Sequence, residues 1–208
     1  MREELGLVDI TVTGEGSVLV APDTLRLHAG VEVRRASAGE AFAAVRAAAA
    51  RLGEALRQAG IAPEDMSTAE LSLGPEYESY PKVSAYRAAQ GLQVVVRDVS
   101  RGDHVIDTVV GVGEEARLHG VAFEVAAPGE ALAEARVGAF RQAAAKAAQY
   151  AELAGRPLGP VVRVEEVVGA PPVPMRQMAQ TLAAESDASI SPGRQSLTVH
   201  VKLGYDFA

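Results

Sequence analysis

Four histidines are the residues of this 208-residue chain that first suggest chemistry, because imidazole is a common metal ligand. His28 and His200 fall on the polar faces of two predicted strands that could be neighbours in one sheet. His104 and Asp107 lie three residues apart on one face of a predicted helix, a spacing that suits a histidine oriented by a carboxylate. A solvated helix face explains that pair equally well, and two imidazoles without a third ligand bind zinc poorly. The sequence therefore predicts no metal site and no cofactor.

Two pairs of neighbouring carboxylates, Glu76 with Glu78 and Glu165 with Glu166, raise the question of acid–base catalysis. In a strand Glu76 and Glu78 share a face, but about 6.5 to 7 Å of strand separates them. No acid or base partner is visible, so we interpret them as a charged edge that discourages aberrant strand pairing. The motifs of serine hydrolases, Walker nucleotide sites and zinc proteases are absent as well. We predict no catalytic residue and expect a protein that is not an enzyme.

Aromatic side chains give a clearer signal, because three of the five tyrosines crowd one predicted hairpin over residues 77–86. They are Tyr77, Tyr80 and Tyr86. Amphipathic aromatic residues in such places are favoured in protein interfaces. Packing that only rigidifies the hairpin is an equal alternative. The hairpin is our first candidate interface.

A second candidate interface is the excursion over residues 169–194, which separates two predicted strands and contains Met175 and Met178. A connection of this length in a compact domain is typical of an arm, a lid or a binding loop. We expect a mobile arm that contacts a partner, with a disordered spacer as the alternative. Sacrificial oxidation of the two methionines is a third hypothesis.

The composition excludes several classes of protein. Twenty Lys and Arg against 27 Asp and Glu leave a net charge of −7, which opposes binding to the phosphates of nucleic acid. The absence of Cys excludes disulfides, thiolate nucleophiles and zinc–thiolate sites. With four Phe, five Tyr and no Trp, the core must consist mainly of Ala, Val and Leu.

The elements that must position these residues follow from the periodicity of the apolar side chains. Residues 24–127 predict strand, helix, strand, strand, helix and strand, which is the split βαβ pattern of ferredoxin-like folds. Residues 128–208 predict a long Ala-rich helix, with Val137 and Phe140 on its apolar face, and two further strands. A strand within residues 1–23 is expected to join their sheet. The predicted class is α+β: a βαββαβ core with an added N-terminal β ribbon, a long Ala-rich helix and two C-terminal strands.

Two local patterns predict backbone geometry. Gly14 and Gly16 interrupt the first predicted strand, which we interpret as an edge strand or a bulged strand, since glycine within a strand marks a bulge or a close approach of another backbone. A bulge is favoured over a fragment of a dinucleotide-binding loop, because the two glycines lie within the strand and not between a strand and a helix. Ser37 and Glu40 have the spacing of a capping box, which predicts the start of an amphipathic helix that ends at Gly60.

Targeting signals are weak in this sequence. The first eight residues, MREELGLV, lack the cationic flank and apolar run of a secretory signal, and no apolar stretch reaches the roughly 20 residues that span a bilayer. We expect no transmembrane segment and a cytoplasmic location for the chain as written. If a leader was removed, a periplasmic or secreted location is expected instead.

An ordered set of short segments resembles the SIMPL domain family over nearly the whole chain. The segments are ITVTGEG at 10–16, APD at 21–23, MST at 66–68, LSLGPEY at 71–77, YRA at 86–88, EAR at 134–136, GRPLG at 155–159 and SPG at 191–193. The resemblance implies a single SIMPL domain. Bacterial relatives are commonly described as oxidative stress defence proteins or periplasmic antigens, and the family has no established catalytic residues to carry over.

Two functional hypotheses follow. The first is a non-enzymatic, self-associating protein with a role in oxidative or envelope stress, in which the hairpin or the arm contacts a second copy or a protein partner. The alternative is a protein that binds a small molecule or metal in a groove between its two halves, with His28, His104 or His200. The absence of Cys excludes thiol peroxidase chemistry from either one.

Overall fold

The computed structural model describes residues 8–167 and 190–208. Within these residues three α-helices and seven strands form two antiparallel sheets, which confirms the predicted α+β class. The helices are α1 (Ala38–Gln58), α2 (Gly102–Val110) and α3 (Gly129–Leu153). The strands are β1 (Ile10–Val20), β2 (Thr24–Arg35), β3 (Met66–Ser79), β4 (Lys82–Val96), β5 (Ala116–Glu124), β6 (Leu158–Val167) and β7 (Gln195–Phe207).

The described residues divide into two compact units. The four-stranded unit contains residues 22–126 and 190–192, and the three-stranded unit contains residues 8–21, 127–167 and 193–208. Only the first is built mainly from one continuous stretch of chain.

The four-stranded unit has the predicted ferredoxin-like arrangement. Its elements run β2, α1, β3, β4, α2, β5, and its sheet has the order β3-β4-β2-β5, so the first strand of the motif lies inside the sheet. Both helices pack on one face of the sheet over a core of Leu and Val. The largest fully buried side chains include Leu25, Leu27, Leu52 and Leu56.

Helix α1 begins and ends where the sequence predicts. The Ser37 side chain accepts a hydrogen bond from the Glu40 backbone N–H at 3.3 Å, and the Ser37 N–H donates to the Glu40 carboxylate at 3.2 Å. This reciprocal pair satisfies two donors that a helix start leaves open. Gly60 follows the helix with φ of +81°, a conformation that side chains other than glycine rarely adopt.

The three-stranded unit has β7 at its centre, with β1 and β6 on either side. Helix α3 packs on β1 and β7 through alanines spaced four residues apart, which therefore form one row along the helix. The buried members of this row are Ala135, Ala139, Ala143, Ala147 and Ala151. The predicted apolar face was wrong in part, because Val137 and Phe140 are 47% and 39% exposed.

Strand β1 is an edge strand of its sheet, which confirms one of the two predicted alternatives, but the predicted bulge at Gly14 and Gly16 is wrong. Strand β1 pairs with β7 without a register shift from Ile10 to Val20. Both glycines instead lie under the backbone of α3: a Cβ at either position would be 2.0 Å from a carbonyl oxygen, that of Ala139 above Gly14 and that of Ala135 above Gly16. Glycine is needed here because the helix backbone lies directly on the strand.

Candidate functional site

The Tyr-bearing hairpin is the tip of the β3–β4 pair. Strand β3 ends at Ser79 and β4 begins at Lys82, which confirms the predicted turn. The Tyr77 and Tyr80 rings lie with centroids 5.4 Å apart and planes tilted by 54°, and these side chains are 47% and 85% exposed. Tyr86 is half-buried and packs against the core of the four-stranded unit. The three tyrosines therefore divide between an exposed pair at the tip and one core residue.

Strand β3 extends this exposed apolar character along an edge of the sheet. Leu73 is directly opposite the core residue Ala88, so Leu73 and Leu71 lie on the face of the sheet that bears the helices. They are nevertheless 46% and 53% exposed. Val83, near the start of β4, is 42% exposed. We call the exposed apolar side chains of the hairpin the apolar edge surface; its members are Leu71, Leu73, Tyr77, Tyr80 and Val83.

Carboxylates on this hairpin bind cations rather than each other. The Glu76 carboxylate lies 2.5 Å from Arg34 Nε and 3.8 Å from Arg87 Nε, and Glu78 lies 2.6 Å from Lys82 Nζ. Two separate sets of cations therefore hold the two carboxylates. The arrangement suits ion pairing at a charged edge, not a shared proton.

In the second carboxylate pair, on β6, each carboxylate likewise binds a different cation. Glu165 binds Arg163 at 3.0 Å, and Glu166 binds Arg136 of α3 at 2.8 Å. The hydrogen bond from the Arg136 guanidinium lowers the pKa of the Glu166 carboxyl from its ordinary value. This carboxylate stabilises the contact between α3 and β6 and carries no proton near neutral pH.

The histidines are distributed differently from the prediction. His28 lies on β2 in the four-stranded unit and His200 on β7 in the three-stranded unit, so the expectation that they share a sheet is wrong. His104 and Asp107 are both exposed on α2. Among residues 8–167 and 190–208, no group of three or more metal-binding side chains comes together.

His119 is a residue that the sequence reasoning missed. Strands β2 and β5 change register between His28 and Ala29, and this irregularity places both His28 and His119 in the lining of one groove. Gly120 lies opposite His28, so regular alternation along β5 would place its neighbour His119 on the other face of the sheet. Strand periodicity alone therefore could not have predicted that His28 and His119 line the same groove.

Part of the second candidate interface lies outside the described residues, including Met175 and Met178. Of the segment 169–194, residues 190–194 are described. Ile190 packs against the core of the four-stranded unit, and Gly193 has φ of +60°.

A model of the SIMPL family, described as a protein of unknown function (DUF541), matches residues 10–205. The chain belongs to the SIMPL family. The matched residues of this SIMPL chain include most of the described residues of both the four-stranded and the three-stranded unit.

Curated relatives of the SIMPL chain are bacterial proteins. The 26 kDa periplasmic immunogenic protein of Brucella melitensis biotype 1 is 32% identical over 95% of this chain and 84% of its own length. The uncharacterized protein YggE of Edwardsiella ictaluri is 28% identical over 92% of this chain and 82% of its own length. YggE of Escherichia coli K12 is 29% identical over 86% and 74%. These names state no catalytic activity. In the part of the SIMPL chain that the structure describes, no helix has the length and hydropathy needed to cross a bilayer.

Proposed function

We propose that this SIMPL chain is a non-enzymatic protein that works as a homo-oligomer, assembled through the apolar edge surface of the β3–β4 hairpin. The observation that carries the proposal is the exposure of Leu71, Leu73 and Tyr77 along one edge strand. Exposed apolar side chains on an edge strand favour pairing with another chain, because one side of the strand's backbone has unpaired N–H and C=O groups. The carboxylates of Glu76 and Glu78, which would oppose pairing, are already matched by cations of the same unit.

The size of the apolar contribution supports strand pairing as part of the interface. Burying a large apolar side chain completely is worth about 1.5 to 3 kcal/mol, so side chains that are roughly half exposed contribute about 1 kcal/mol each. The five members of the surface then supply about 5 kcal/mol per copy, or about 10 kcal/mol for a pair of copies. Association costs about 4 to 15 kcal/mol in lost freedom. The apolar gain of a pair thus lies within the range of this cost, and hydrogen bonds along the β3 edge would add to it, so we propose that two copies join edge to edge.

The test compares charged substitutions on the two edges of the same sheet. Leu71→Arg with Leu73→Arg should reduce the mass measured by light scattering at tens of micromolar, with the circular dichroism of the folded chain retained. Leu118→Arg on the opposite edge strand β5 is the control, since Leu118 is 44% exposed but outside the proposed surface. A monomeric wild type would refute the proposal, and so would dissociation by the control alone.

One further variant separates the contribution of the turn from that of the strand. Tyr80→Asp removes the most exposed ring of the tip and should weaken assembly less than the double Arg variant, because the β3 edge stays intact. Unchanged mass for Tyr80→Asp with a reduced mass for the Leu variants would limit the interface to the strand.

We also propose that the protein works in the periplasm. The support is the name of the Brucella relative, a periplasmic immunogenic protein that matches 95% of this chain. Cell fractionation of the natural gene product, with separate cytoplasmic and periplasmic markers, tests this location. Recovery of the protein with the cytoplasmic marker would contradict the proposal and favour the cytoplasmic location expected from the first eight residues.

The role in stress defence belongs to the same proposal. Because the chain contains no Cys, such a role does not use a thiol intermediate, and we propose that it depends on assembly. In a strain that lacks the gene, the wild type should restore tolerance to peroxide, and the dissociated Leu variant should not. Equal rescue by both would separate the stress role from assembly.

A further inference from the structure

The four-stranded sheet carries a groove on the face opposite its helices. Its floor is backbone, because Gly91 of β4 and Gly120 of β5 line it, with Gly30 of β2 directly opposite Gly91 and His28 opposite Gly120. The glycines have no side chains, whereas neighbouring residues on the same face of the sheet, such as His28 and Glu32, project from it. The groove is therefore about one side chain deep. Its volume is about 390 Å³, within the range of small-molecule sites.

One end of the groove holds two guanidinium groups around a single carboxylate. Glu32 Oε2 lies 3.5 Å from Arg87 Nη1, and Glu32 Oε1 lies 3.6 Å from Arg117 Nη2. Both distances are too long for good hydrogen bonds, which have N···O separations of about 2.7 to 3.2 Å. The two cations therefore share one anion that neither of them binds closely.

Arg117 is fixed in place for this role. Its Nη1 donates to the backbone carbonyls of Glu114 and Ala116, each at 2.8 Å, and its side chain is 41% exposed. These bonds hold Nη1 and leave Nη2 on the side of Glu32. The guanidinium is thus oriented before any ligand arrives, which lowers the entropy cost of binding.

Arg87 differs from other arginines of the same unit. Arg26 makes two hydrogen bonds of 2.7 Å to Glu124, and Arg97 makes bonds of 2.6 and 2.9 Å to Asp65. Among the described residues, the Arg87 side chain has only the long ion pairs at 3.5 and 3.8 Å to Glu32 and Glu76. Its N–H groups are available for a carboxylate that approaches in the plane of the guanidinium.

We propose that this groove binds a small organic carboxylate with a flat body. The carboxylate binds Arg87 through paired hydrogen bonds and receives a further contact from Arg117, and the flat body lies over the Gly30–Gly91 floor. Side chains on the groove wall, such as Ser72 and His28, supply polar contacts to its edge. The site is separate from the apolar edge surface, because Leu71 and Leu73 alternate with the groove residues Glu70 and Ser72 along β3.

Isothermal titration with 2-naphthoate tests the ligand class, with 2-naphthamide as the neutral match and inorganic phosphate as the anion without a body, all at one ionic strength. We expect saturable binding of 2-naphthoate with a dissociation constant at least tenfold below those of the other two. Equal binding of the amide, or no heat with 2-naphthoate up to millimolar concentration, would overturn the proposal. Binding of phosphate as tight as that of 2-naphthoate would reduce the site to a simple anion site and overturn the role of the floor.

Two arginine variants with the same change of charge test the position. Arg87→Gln should weaken 2-naphthoate binding at least tenfold. Arg46→Gln, on the exposed surface of α1 beside Phe42, should leave it unchanged. Equal weakening by both would show a general effect of net charge and overturn the assignment.

A third variant tests the competing carboxylate. Glu32→Gln removes the anion that both guanidiniums share, so it should tighten 2-naphthoate binding several-fold. Weaker binding in this variant would contradict the proposed geometry, because a competitor was removed.

The floor is tested by filling it. A Cβ at Gly120 would meet no atom within 4 Å and needs no unusual backbone angle, so Gly120→Val should fold and block the groove. Gly91→Ala is the milder second variant, since its Cβ would lie 3.5 Å from Glu70 atoms, at ordinary contact distance. Both should weaken 2-naphthoate binding, Gly120→Val by more. A folded Gly120→Val with unchanged affinity would overturn the site.

Discussion

The two units bury their sheets under helices by opposite means. In the four-stranded unit, large side chains such as Leu52 and Leu56 of α1 fill the space between helix and sheet. In the three-stranded unit, the alanine row of α3 meets Gly14 and Gly16 of β1, and the backbones are in contact. In the four-stranded unit, large side chains fill the layer between helix and sheet, which we call the first layer. In the three-stranded unit, the corresponding second layer requires residues with small side chains or none.

This difference determines how each unit fails. Removing atoms from the first layer leaves a cavity, whose cost depends on how far the neighbours relax. Adding atoms to the second layer pushes two backbones apart, and backbone cannot change rotamer to make room. The four-stranded unit should therefore be sensitive to truncation and the three-stranded unit to enlargement.

The largest effect is expected from Gly16→Val. Its Cβ would lie 2.0 Å from the Ala135 oxygen and 2.4 Å from the Ala139 nitrogen, so α3 must move off β1. We expect a loss of more than about 3 kcal/mol in the free energy of unfolding, measured by urea denaturation with circular dichroism. The control is Gly74→Val on β3, where a Cβ meets nothing within 4 Å. Similar losses for both would mean that valine is harmful in any strand and that the close contact is not the cause.

Leu52→Ala should have the next largest effect, because Leu52 is fully buried in the four-stranded unit. Truncation of such a residue costs about 2 to 5 kcal/mol. The same substitution at Leu153, which is 76% exposed at the end of α3, should change stability by less than about 0.5 kcal/mol. A small effect at Leu52 would show that the first layer can collapse, which would remove the contrast between the units.

A smaller effect is expected at the start of α1, where the units differ again. Ser37 caps α1, whereas α3 begins after Pro128 without a side-chain cap. Ser37→Ala should cost about 1 kcal/mol in urea denaturation. Glu40→Gln should cost much less, because glutamine can also complete the capping box. A loss for Glu40→Gln as large as that for Ser37→Ala would indicate that charge at the helix start matters more than the hydrogen bonds.

The smallest effect concerns one ion pair in each unit. Two hydrogen bonds from Arg26 lower the pKa of Glu124 from its ordinary value of 4.5, against the opposing effect of burial. A carboxyl with a lowered folded-state pKa stabilises the fold above pH 4.5, and this stabilisation is lost as the pH falls through the folded-state value. Glu124→Gln should thus reduce stability at pH 7 by less than about 1 kcal/mol, since the pair is partly exposed.

The matched variant in the other unit is Glu166→Gln, which breaks the more exposed pair with Arg136. In urea denaturation, the loss of unfolding free energy relative to the wild type should change less between pH 7 and pH 3 for this variant than for Glu124→Gln. At pH 7, 1 M salt should remove the loss caused by Glu166→Gln. A loss for Glu124→Gln that persists unchanged at pH 3 would mean that the amide disturbs packing, not charge.

Much of the four-stranded unit could be predicted from sequence because its signals are local. The capping box at Ser37, the stop at Gly60 and the alternation along β2 each depend on neighbouring residues. Their order along the chain then limits the topology to the split βαβ pattern, which the structure confirms.

The three-stranded unit and the sites depend on distant residues, and there local patterns were insufficient. The reason for Gly14 and Gly16 lies in α3, more than a hundred residues later, so a bulge and a close approach look alike in sequence. The groove joins Glu32, Arg87 and Arg117 from three strands, and His119 enters it only through a register shift. The tyrosine hairpin could be located because it is local, but the burial of Tyr86 could not.

The pairing of β1 with β7 has a consequence for synthesis on the ribosome. Residues 22–126, which form nearly all of the four-stranded unit, emerge in one continuous stretch and can fold together without waiting for distant segments. Strand β1 emerges before them but has to wait for β7, since Ile10 pairs with Tyr205 and the central strand of its sheet is translated last among the seven. Until then β1 is an unpaired apolar strand on a nascent chain, open to wrong partners, and this interval is where a chaperone would be of most use to the protein.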